Sequence, residues 1–255
     1  VVSSLDIVDG YTDGSFNPTN TLTRGAAAKI ICNLILGPTT ADALSADTAP
    51  FKDVPVTNEF AGYIAYCSQQ GIISGYADGT FRPAGTLTGY AFMKMLLGAL
   101  GYSAEVEGYT GANWSVAVAK QAVGIGLDDG NDEFVGVKAV TREEACLYAF
   151  NTLTADMVEY DTTTNIDING ATVVIGGSKA SPVHNSENKD YRTSSDDRDE
   201  VMQFCEKYFT DLELRSDAAT DSFGRPSNTW YNDNDKIGTY AKEADVVYTA
   251  DVKSK

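Results

Sequence analysis

Apolar positions recur with a helical period in several stretches of the chain, and turn residues separate these stretches. One stretch covers about residues 58–70 and ends at Gly71, and a second begins after Thr88. Apolar residues three and four positions apart form one face of a helix. The positions that define the two faces are Phe60, Tyr63, Ile64 and Cys67, and Phe92, Met95, Leu96 and Leu100. Because Thr88 is a good helix N-cap, the pattern predicts a helix, a glycine loop and a capped helix.

This helix–loop–helix unit occurs three times. The loop reads GSFNP at residues 14–18 and GTFRP at 79–83, and Leu-Thr follows each loop after a short gap. A third, degenerate copy contains Phe134 and Thr141. The separation from Phe to Thr is seven residues in every copy, from 16 to 23, from 81 to 88 and from 134 to 141. Three copies with one internal spacing indicate a supersecondary unit that is used three times.

The N-termini of the three second helices are also alike. Thr23 and Thr141 stand where Thr88 stands in the most complete copy. Glu144 follows Thr141 by three residues, which predicts a capping box. In the third copy, a preceding helix is predicted around Trp114. The first copy has no such preceding helix within the sequence, and we expect that this helix was removed together with a signal peptide.

This pattern resembles the S-layer homology family over roughly residues 1–155. The resemblance rests on GYTDGSFNPTNTLTRGAAAKII, on FKDVPVTNEFAGYIAYCSQQGIISGYADGTFRPAGTLTGYAFMKMLLGALGY and on AVTREEACLYAF. It implies a mainly α fold, a pseudo-threefold prism of three repeats at 1–37 (partial), 51–102 and 112–155. A smaller α+β extension is expected at 156–255. The resemblance further implies a non-catalytic module that anchors a bacterial surface protein to secondary cell-wall polysaccharide through grooves between repeats.

The resemblance also implies which residues bind the polymer. In the family, a Thr-Arg-Ala-Glu-like segment at the start of the second helix lines the groove, and its arginine contacts a polymer that commonly carries a pyruvyl carboxylate. Carried over by position, this assigns polysaccharide-binding roles to Arg142 and Glu144, and to Arg24. Arginine suits this role because its planar fork pairs with both oxygens of a carboxylate. The helix N-terminus is expected to add backbone N–H donors for the same anion.

The three copies differ in how well they match. The third is the best match, so Arg142 is expected to matter more than Arg24. The second has Gly89 in place of the arginine, and its groove is expected to be disabled unless Arg82 substitutes. A structural alternative for Arg142 is a solvated first-turn residue held by Glu143 or Glu144.

Composition narrows the function classes further. The net charge of −17 argues against nucleic acid as a partner and against electrostatic attachment to an anionic membrane. The sequence has no apolar run long enough for a membrane span. Isolated His184 and the acidic turn 128–133 match no metal-site pattern, and no cofactor is expected. The cysteines lack C-x-x-C spacing and are expected to be buried thiols: Cys32, Cys67, Cys146 and Cys205.

The second part of the chain has a different pattern. A hairpin over an Asn-Gly turn is predicted at 165–175, a loop or linker at 178–197 and a helix at 199–212. A turn and strand follow at 223–231, and residues 244–252 alternate only weakly. No catalytic constellation is apparent in these segments.

Three functions remain compatible with the sequence: a wall-anchoring module, a self-assembling S-layer or filament subunit whose partners are identical chains, and the attachment part of a secreted enzyme. Each implies an extracellular location in the cell wall or S-layer. The incomplete first repeat should leave an apolar slot beside Ile30, Ile31 and Leu34. We expect either the helix predicted at 199–212 or a neighbouring chain to fill that slot.

Overall fold

The computed structural model of the chain describes residues 1–160, 164–168, 171–175, 179–189, 198–215 and 220–241. Within these ranges it combines seven helices with nine strands. The helices are α1 (Arg24–Leu36), α2 (Pro38–Asp42), α3 (Ala61–Gln69), α4 (Gly89–Ala99), α5 (Trp114–Gly124), α6 (Arg142–Leu153) and α7 (Phe204–Tyr208). The strands are β1 (Val158–Tyr160), β2 (Thr164–Ile168), β3 (Ala171–Ile175), β4 (Ala180–Pro182), β5 (His184–Lys189), β6 (Arg198–Val201), β7 (Leu212–Arg215), β8 (Ser227–Asn232) and β9 (Asp235–Ala241).

The three predicted helix starts are confirmed. The hydroxyl of Thr23 accepts a hydrogen bond from the third amide of α1 at 3.2 Å, and Thr88 does the same for α4 at 3.2 Å. Thr141 caps α6, and the carboxylate of Glu144 accepts the Thr141 amide at 2.7 Å, which completes the predicted capping box. These contacts satisfy amides that have no partner inside a helix.

The remaining first-turn amides bond to the neighbouring repeat. The first amide of α1, α4 or α6 donates to a carbonyl three positions before the cap of another repeat. The pairs are Arg24 N to Gly85 O at 2.8 Å, Gly89 N to Lys138 O at 2.9 Å and Arg142 N to Asn20 O at 2.9 Å. The bonds therefore run from the first repeat to the second, from the second to the third and from the third to the first. Every pair of repeats shares a direct backbone contact.

The core at this junction is apolar but not equal in all three copies. Leu22, Leu87 and Val140, each immediately before a capping threonine, are buried. Phe81 is 1% exposed, whereas Phe16 and Phe134 are only half-buried. The three loop phenylalanines are therefore not equally buried.

The second part of the chain is richer in strands than its sequence pattern suggests. Strands β2 and β3 pair antiparallel as predicted, although the turn at 169–170 lies outside the described residues. Strands β7, β8 and β9 form an antiparallel sheet in chain order, which confirms the strand predicted after residue 223. Residues 244–252 also lie outside the described part.

Two predictions in this part are wrong. The segment predicted as a loop at 178–197 contains β4 and β5, and residues 190–197 lie outside the described residues. The helix predicted at 199–212 shrinks to α7, because Val201 pairs with β5 and Leu212 pairs with β8. The apolar residues of 199–212 do have helical spacing. However, the backbone at both ends of this segment forms hydrogen bonds with strands that are distant in sequence.

The two parts of the chain contribute to one hydrophobic core. Trp230 of β8 is buried, and its ring centroid lies 5.9 Å from that of Phe150 in α6. Helix α7 contacts α1 and α6. Ile30, Ile31 and Leu34 are all buried, so the predicted apolar slot is filled within the chain.

Candidate functional site

Arg24, the first residue of α1, reaches across to the glycine loop of the second repeat. Its Nε donates to the carbonyl oxygen of Phe81 at 2.8 Å, and its Nη2 donates to that of Ser74 at 3.1 Å. The guanidinium carbon lies 4.3 Å from the ring centroid of Phe81 and 5.1 Å from that of Tyr76. The guanidinium is thus held by two backbone carbonyl oxygens and by the faces of two aromatic rings.

Arg142, the first residue of α6, repeats this arrangement on the loop of the first repeat. Its Nε donates to the carbonyl oxygen of Phe16 at 2.9 Å, and its Nη2 donates to that of Asp9 at 2.6 Å. Its guanidinium carbon lies 4.7 Å from the ring centroids of both Phe16 and Tyr11. Its polar contacts are therefore carbonyls of another repeat, which disfavours the alternative that Glu143 or Glu144 holds it.

The loops that receive the arginines are locally determined. Asp13 Oδ1 accepts the amide of Ser15 at 2.9 Å and its hydroxyl at 2.7 Å. Asp78 Oδ1 accepts the same two groups of Thr80 at 2.9 and 2.6 Å. The hydrogen bond from the Thr80 hydroxyl, with that from its amide, lowers the pKa of Asp78 to about 2. The residue after each aspartate is a glycine with φ near +80°, the left-handed conformation that the turn requires.

Each arginine keeps donors for a ligand. A guanidinium has five N–H donors, and the two carbonyl bonds of each arginine use two, which leaves three. The helix N-termini contribute less than the sequence suggests. Their first two amides bond to carbonyls of the neighbouring repeat and their third bonds to the capping threonine. The expected supply of backbone N–H donors for an anion is therefore wrong for α1 and α6.

A cavity of about 510 Å³ adjoins Arg24, between the first and second repeats and the start of the third. Lys94 of α4 supplies a second cation at its wall. The Lys94 ammonium donates to the carbonyl oxygen of Tyr109 at 2.7 Å and lies 5.7 Å from the Trp114 ring centroid. Burial lowers the pKa of Lys94. A cavity with two cations and aromatic walls suits a carboxylate-bearing sugar, because sugar rings pack on aromatic faces while the cations pair with the carboxylate.

The recess beside Arg142 is smaller, about 310 Å³, and is lined by Tyr11, Phe60, Pro83 and the loop before α1. Glu144 does not line it. Its carboxylate is engaged in the capping box, and it faces a separate recess with Glu143 and Lys138. The motif assigned Arg142 and Glu144 to one groove. In the structure the two side chains line different recesses.

Among the described residues, no comparable arginine stands at the boundary between the second and third repeats. A Cβ atom on Gly89 would lie 2.9 Å from the Phe134 ring, so that ring fills the space where a side chain would start. Arg82 does not replace it. Its guanidinium lies 4.1 Å from the ring centroid of Tyr76 and pairs with Asp78 at 3.1 Å, beside the Arg24 site.

Sequence reasoning missed the residues that complete these sites. Tyr11 and Tyr76 follow a glycine and stand two positions before Asp-Gly in the two intact loops, a repeat signal that could have found them. Lys94 is a charged residue inside the apolar stretch of α4. Trp114 was predicted only as part of a helix. Which loop each arginine contacts depends on the packing of repeats and is not encoded in the motif.

Other candidate chemistry is sparse in the described residues. Within them, no three His, Cys, Asp or Glu side chains are grouped as metal ligands would be. Their helices also include none with the length and apolarity needed to cross a membrane. In the acidic turn, Asn131 donates to the hydroxyl of Tyr148 at 2.8 Å, which is a structural contact.

Comparison with known proteins agrees with the repeat pattern. Residues 2–28 and 50–89 match the family model of the S-layer homology domain. "Cell surface glycoprotein 1" of Acetivibrio thermocellus is 38% identical over 88 residues, which are 34% of this chain and 4% of that protein. The "Surface layer protein" of Brevibacillus choshinensis is 31% identical over 107 residues, 42% of this chain and 10% of that protein.

A third relative carries a more specific name. The "Cellulosome-anchoring protein" of Acetivibrio thermocellus is 38% identical over 79 residues, 31% of this chain and 17% of that protein. The chain thus spans at most 17% of the length of these three relatives.

Proposed function

Because residues 2–28 and 50–89 belong to the S-layer homology family, we propose that this chain is a non-catalytic module that anchors a protein to secondary cell-wall polysaccharide. The observation that carries the proposal is the repeated arginine site. Arg24 and Arg142 each cross a repeat boundary and stack on a Phe and a Tyr of the next loop. Two sites of one design suit a polymer, which presents the same group repeatedly.

The proposal includes a pseudo-threefold prism for the three repeats. It is supported by the cyclic backbone bonds at the starts of α1, α4 and α6. Grooves in such a prism lie at the repeat boundaries, where the two arginines stand. The extracellular location in the cell wall or S-layer is part of the same proposal. The relatives are named as surface or anchoring proteins.

The two grooves should not contribute equally. The motif favours Arg142, whereas the larger cavity and the second cation of Lys94 favour Arg24. We propose that the Arg24 groove binds more tightly, since it offers two cations and the larger cavity. In paired variants Arg24→Lys and Arg142→Lys, which keep the charge but lose the planar fork, the first should bind more weakly. If Arg142→Lys instead binds more weakly than Arg24→Lys, the Arg142 groove is the stronger binding site.

The function is tested by sedimentation of the chain with purified cell-wall sacculi. Sacculi that retain their polysaccharide should carry the chain into the pellet, and sacculi stripped of it by mild acid should not. Equal retention by both would assign binding to peptidoglycan and refute the polysaccharide proposal. Added soluble polysaccharide should compete, which separates specific binding from trapping.

A second candidate is a subunit that self-assembles with identical chains. It is favoured by the relative named as a surface layer protein and by the boundary at Gly89, where an aromatic ring replaces a ligand-binding arginine. Sedimentation velocity over a wide concentration range distinguishes the two. Concentration-dependent assembly would support the subunit, whereas a chain that remains monomeric at high concentration would rule out self-assembly.

A further inference from the structure

Cys32 and Cys67 lie side by side in the core between two repeats. Their Sγ atoms are 3.5 Å apart, and both residues are fully buried. Cys32 belongs to α1 and Cys67 to α3, and the two are 35 positions apart in sequence. The sulfurs also lie 3.6 and 3.7 Å from the carbonyl oxygens of Tyr63 and Ala28, so each side chain points across the helix interface at the other helix.

We propose that Cys32 and Cys67 are a redox site that forms a disulfide and thereby joins the first repeat to the second covalently. A disulfide needs its sulfurs about 2.05 Å apart, so the pair must close by roughly 1.5 Å. Rotation about the Cα–Cβ bonds of the two side chains is the movement that we propose closes this gap. Disulfides persist in oxidising surroundings such as a cell surface. The inference uses the proposed location but is independent of the groove and its ligand.

The reaction is thiol–disulfide exchange with a small-molecule disulfide. The thiolate of one cysteine attacks that disulfide, forms a mixed disulfide and releases one small thiol. The thiolate of the other cysteine then attacks the protein sulfur and releases the second small thiol. The protein loses two electrons and two protons, and the two released thiols carry them.

Burial determines when this reaction takes place. The hydrogen bond with Cys67 and burial raise the pKa of Cys32, so Cys32 carries little thiolate in the folded chain. Oxidation should therefore be fast while the chain folds and slow once α1 and α3 have packed together. After closure, the same burial should protect the bond from reductants. The other two cysteines, Cys146 on α6 and Cys205 on α7, serve as internal controls.

The test uses the full chain, unfolded, reduced and then refolded either with oxidised glutathione or with a reductant. After denaturation and alkylation, mass spectrometry of tryptic peptides should show Cys32 joined to Cys67 in the first sample, with Cys146 and Cys205 alkylated. The reduced sample should be alkylated at all four cysteines. The oxidised form should have a Tm roughly 5–15 °C higher, because the link restricts the unfolded chain.

Two variants complete the test. The Cys146→Ser/Cys205→Ser chain should still form the link, and its Tm should rise on oxidation by the same amount as that of the wild type. The Cys32→Ala/Cys67→Ala chain should form no link and show equal Tm values after both treatments. The proposal is overturned by four alkylated cysteines after oxidative refolding, by a link that involves Cys146 or Cys205, or by a Cys32–Cys67 link that lowers Tm.

Discussion

Arg24 and Arg142 join two repeats in addition to the ligand contacts we assign to them. Each places its cation against aromatic rings and gives two hydrogen bonds to carbonyls of another repeat. Cation–π contacts contribute about 0.5–1 kcal/mol at exposed sites, and hydrogen bonds from charged donors contribute about 1.5–3 kcal/mol. The arginines are therefore pre-ordered for binding, and alanine at either position should also reduce stability. Binding data on these variants need a stability measurement beside them.

A pH dependence follows from the aspartates of the receiving loops. Asp78 has a folded pKa of about 2, below its ordinary value, so its stabilising effect is complete above about pH 5. That effect is lost as the pH falls towards 2. Asp78→Ala should therefore lower Tm at pH 7, and the gap to the wild type should shrink as the pH falls from about 5 to about 2.

The measurement is thermal unfolding by circular dichroism over this pH range. Asp47→Ala, which removes an exposed carboxylate elsewhere, serves as the control and should leave Tm nearly unchanged. A gap between Asp78→Ala and the wild type that stays constant down to pH 2 would show that the loop hydrogen bonds do not favour the ionised carboxylate.

At the scale of elements, the sequence predicted the helix starts well, because contacts between residues close in sequence determine them. The starts of α1, α4 and α6 follow from Thr23, Thr88 and Thr141, because a cap bonds to amides two or three residues away. The second part was predicted less well, because the ends of β6 and β7 are set by partners remote in sequence. The arginines were found from the motif, but the rings and carbonyls they contact belong to other repeats, and only packing brings these together.

The close packing of α3 provides a test at this scale. A Cβ atom on Gly62 would lie 2.4 Å from the backbone oxygen of Leu44, which cannot move aside as a side chain would. We expect Gly62→Ala to lower the free energy of unfolding by about 1–3 kcal/mol, although alanine is the better helix former.

Gly124→Ala is the matched control. Gly124 ends α5 and is not in the left-handed region. Apart from its chain neighbours and its own helix backbone, no heavy atom of the described residues would lie within 4 Å of a Cβ atom at this position. Its substitution should be neutral or stabilising by up to about 1 kcal/mol. Urea unfolding of both variants measures the difference. Equal effects would mean that helix propensity, and not the contact with Leu44, determines the outcome at Gly62.

At the scale of the whole molecule, the repeats and the strand-rich segments depend on a shared core. Helix α7 packs against α1 and α6, and Trp230 of β8 packs against Phe150 of α6. The slot predicted beside α1 is thus covered by the chain itself. The division at residue 155 describes the sequence pattern, and the core continues across it.

Because the core is shared, a substitution that disrupts the packing of α7 should also destabilise the repeats. Phe204 is fully buried, and Phe204→Ala should cost about 3–5 kcal/mol in one cooperative transition. Phe223, which is 84% exposed, is the control, and Phe223→Ala should change stability by less than about 0.5 kcal/mol. Helical ellipticity at 222 nm and tryptophan fluorescence should report the same midpoint for Phe204→Ala. Two separate transitions would mean that the repeats fold independently of α7.

The most direct test of polysaccharide anchoring is the affinity of the Arg24→Ala/Arg142→Ala chain for sacculi that retain their polysaccharide. Each lost contact should cost about 1.5–3 kcal/mol, so the double variant should bind at least 100-fold more weakly, if at all. Arg225→Ala, which removes an arginine that pairs with Asp221 and lines neither of the two cavities, should bind like the wild type. Circular dichroism at the assay temperature must show all three chains folded. Wild-type affinity in the folded double variant would contradict the assignment of the two arginine grooves as the binding sites.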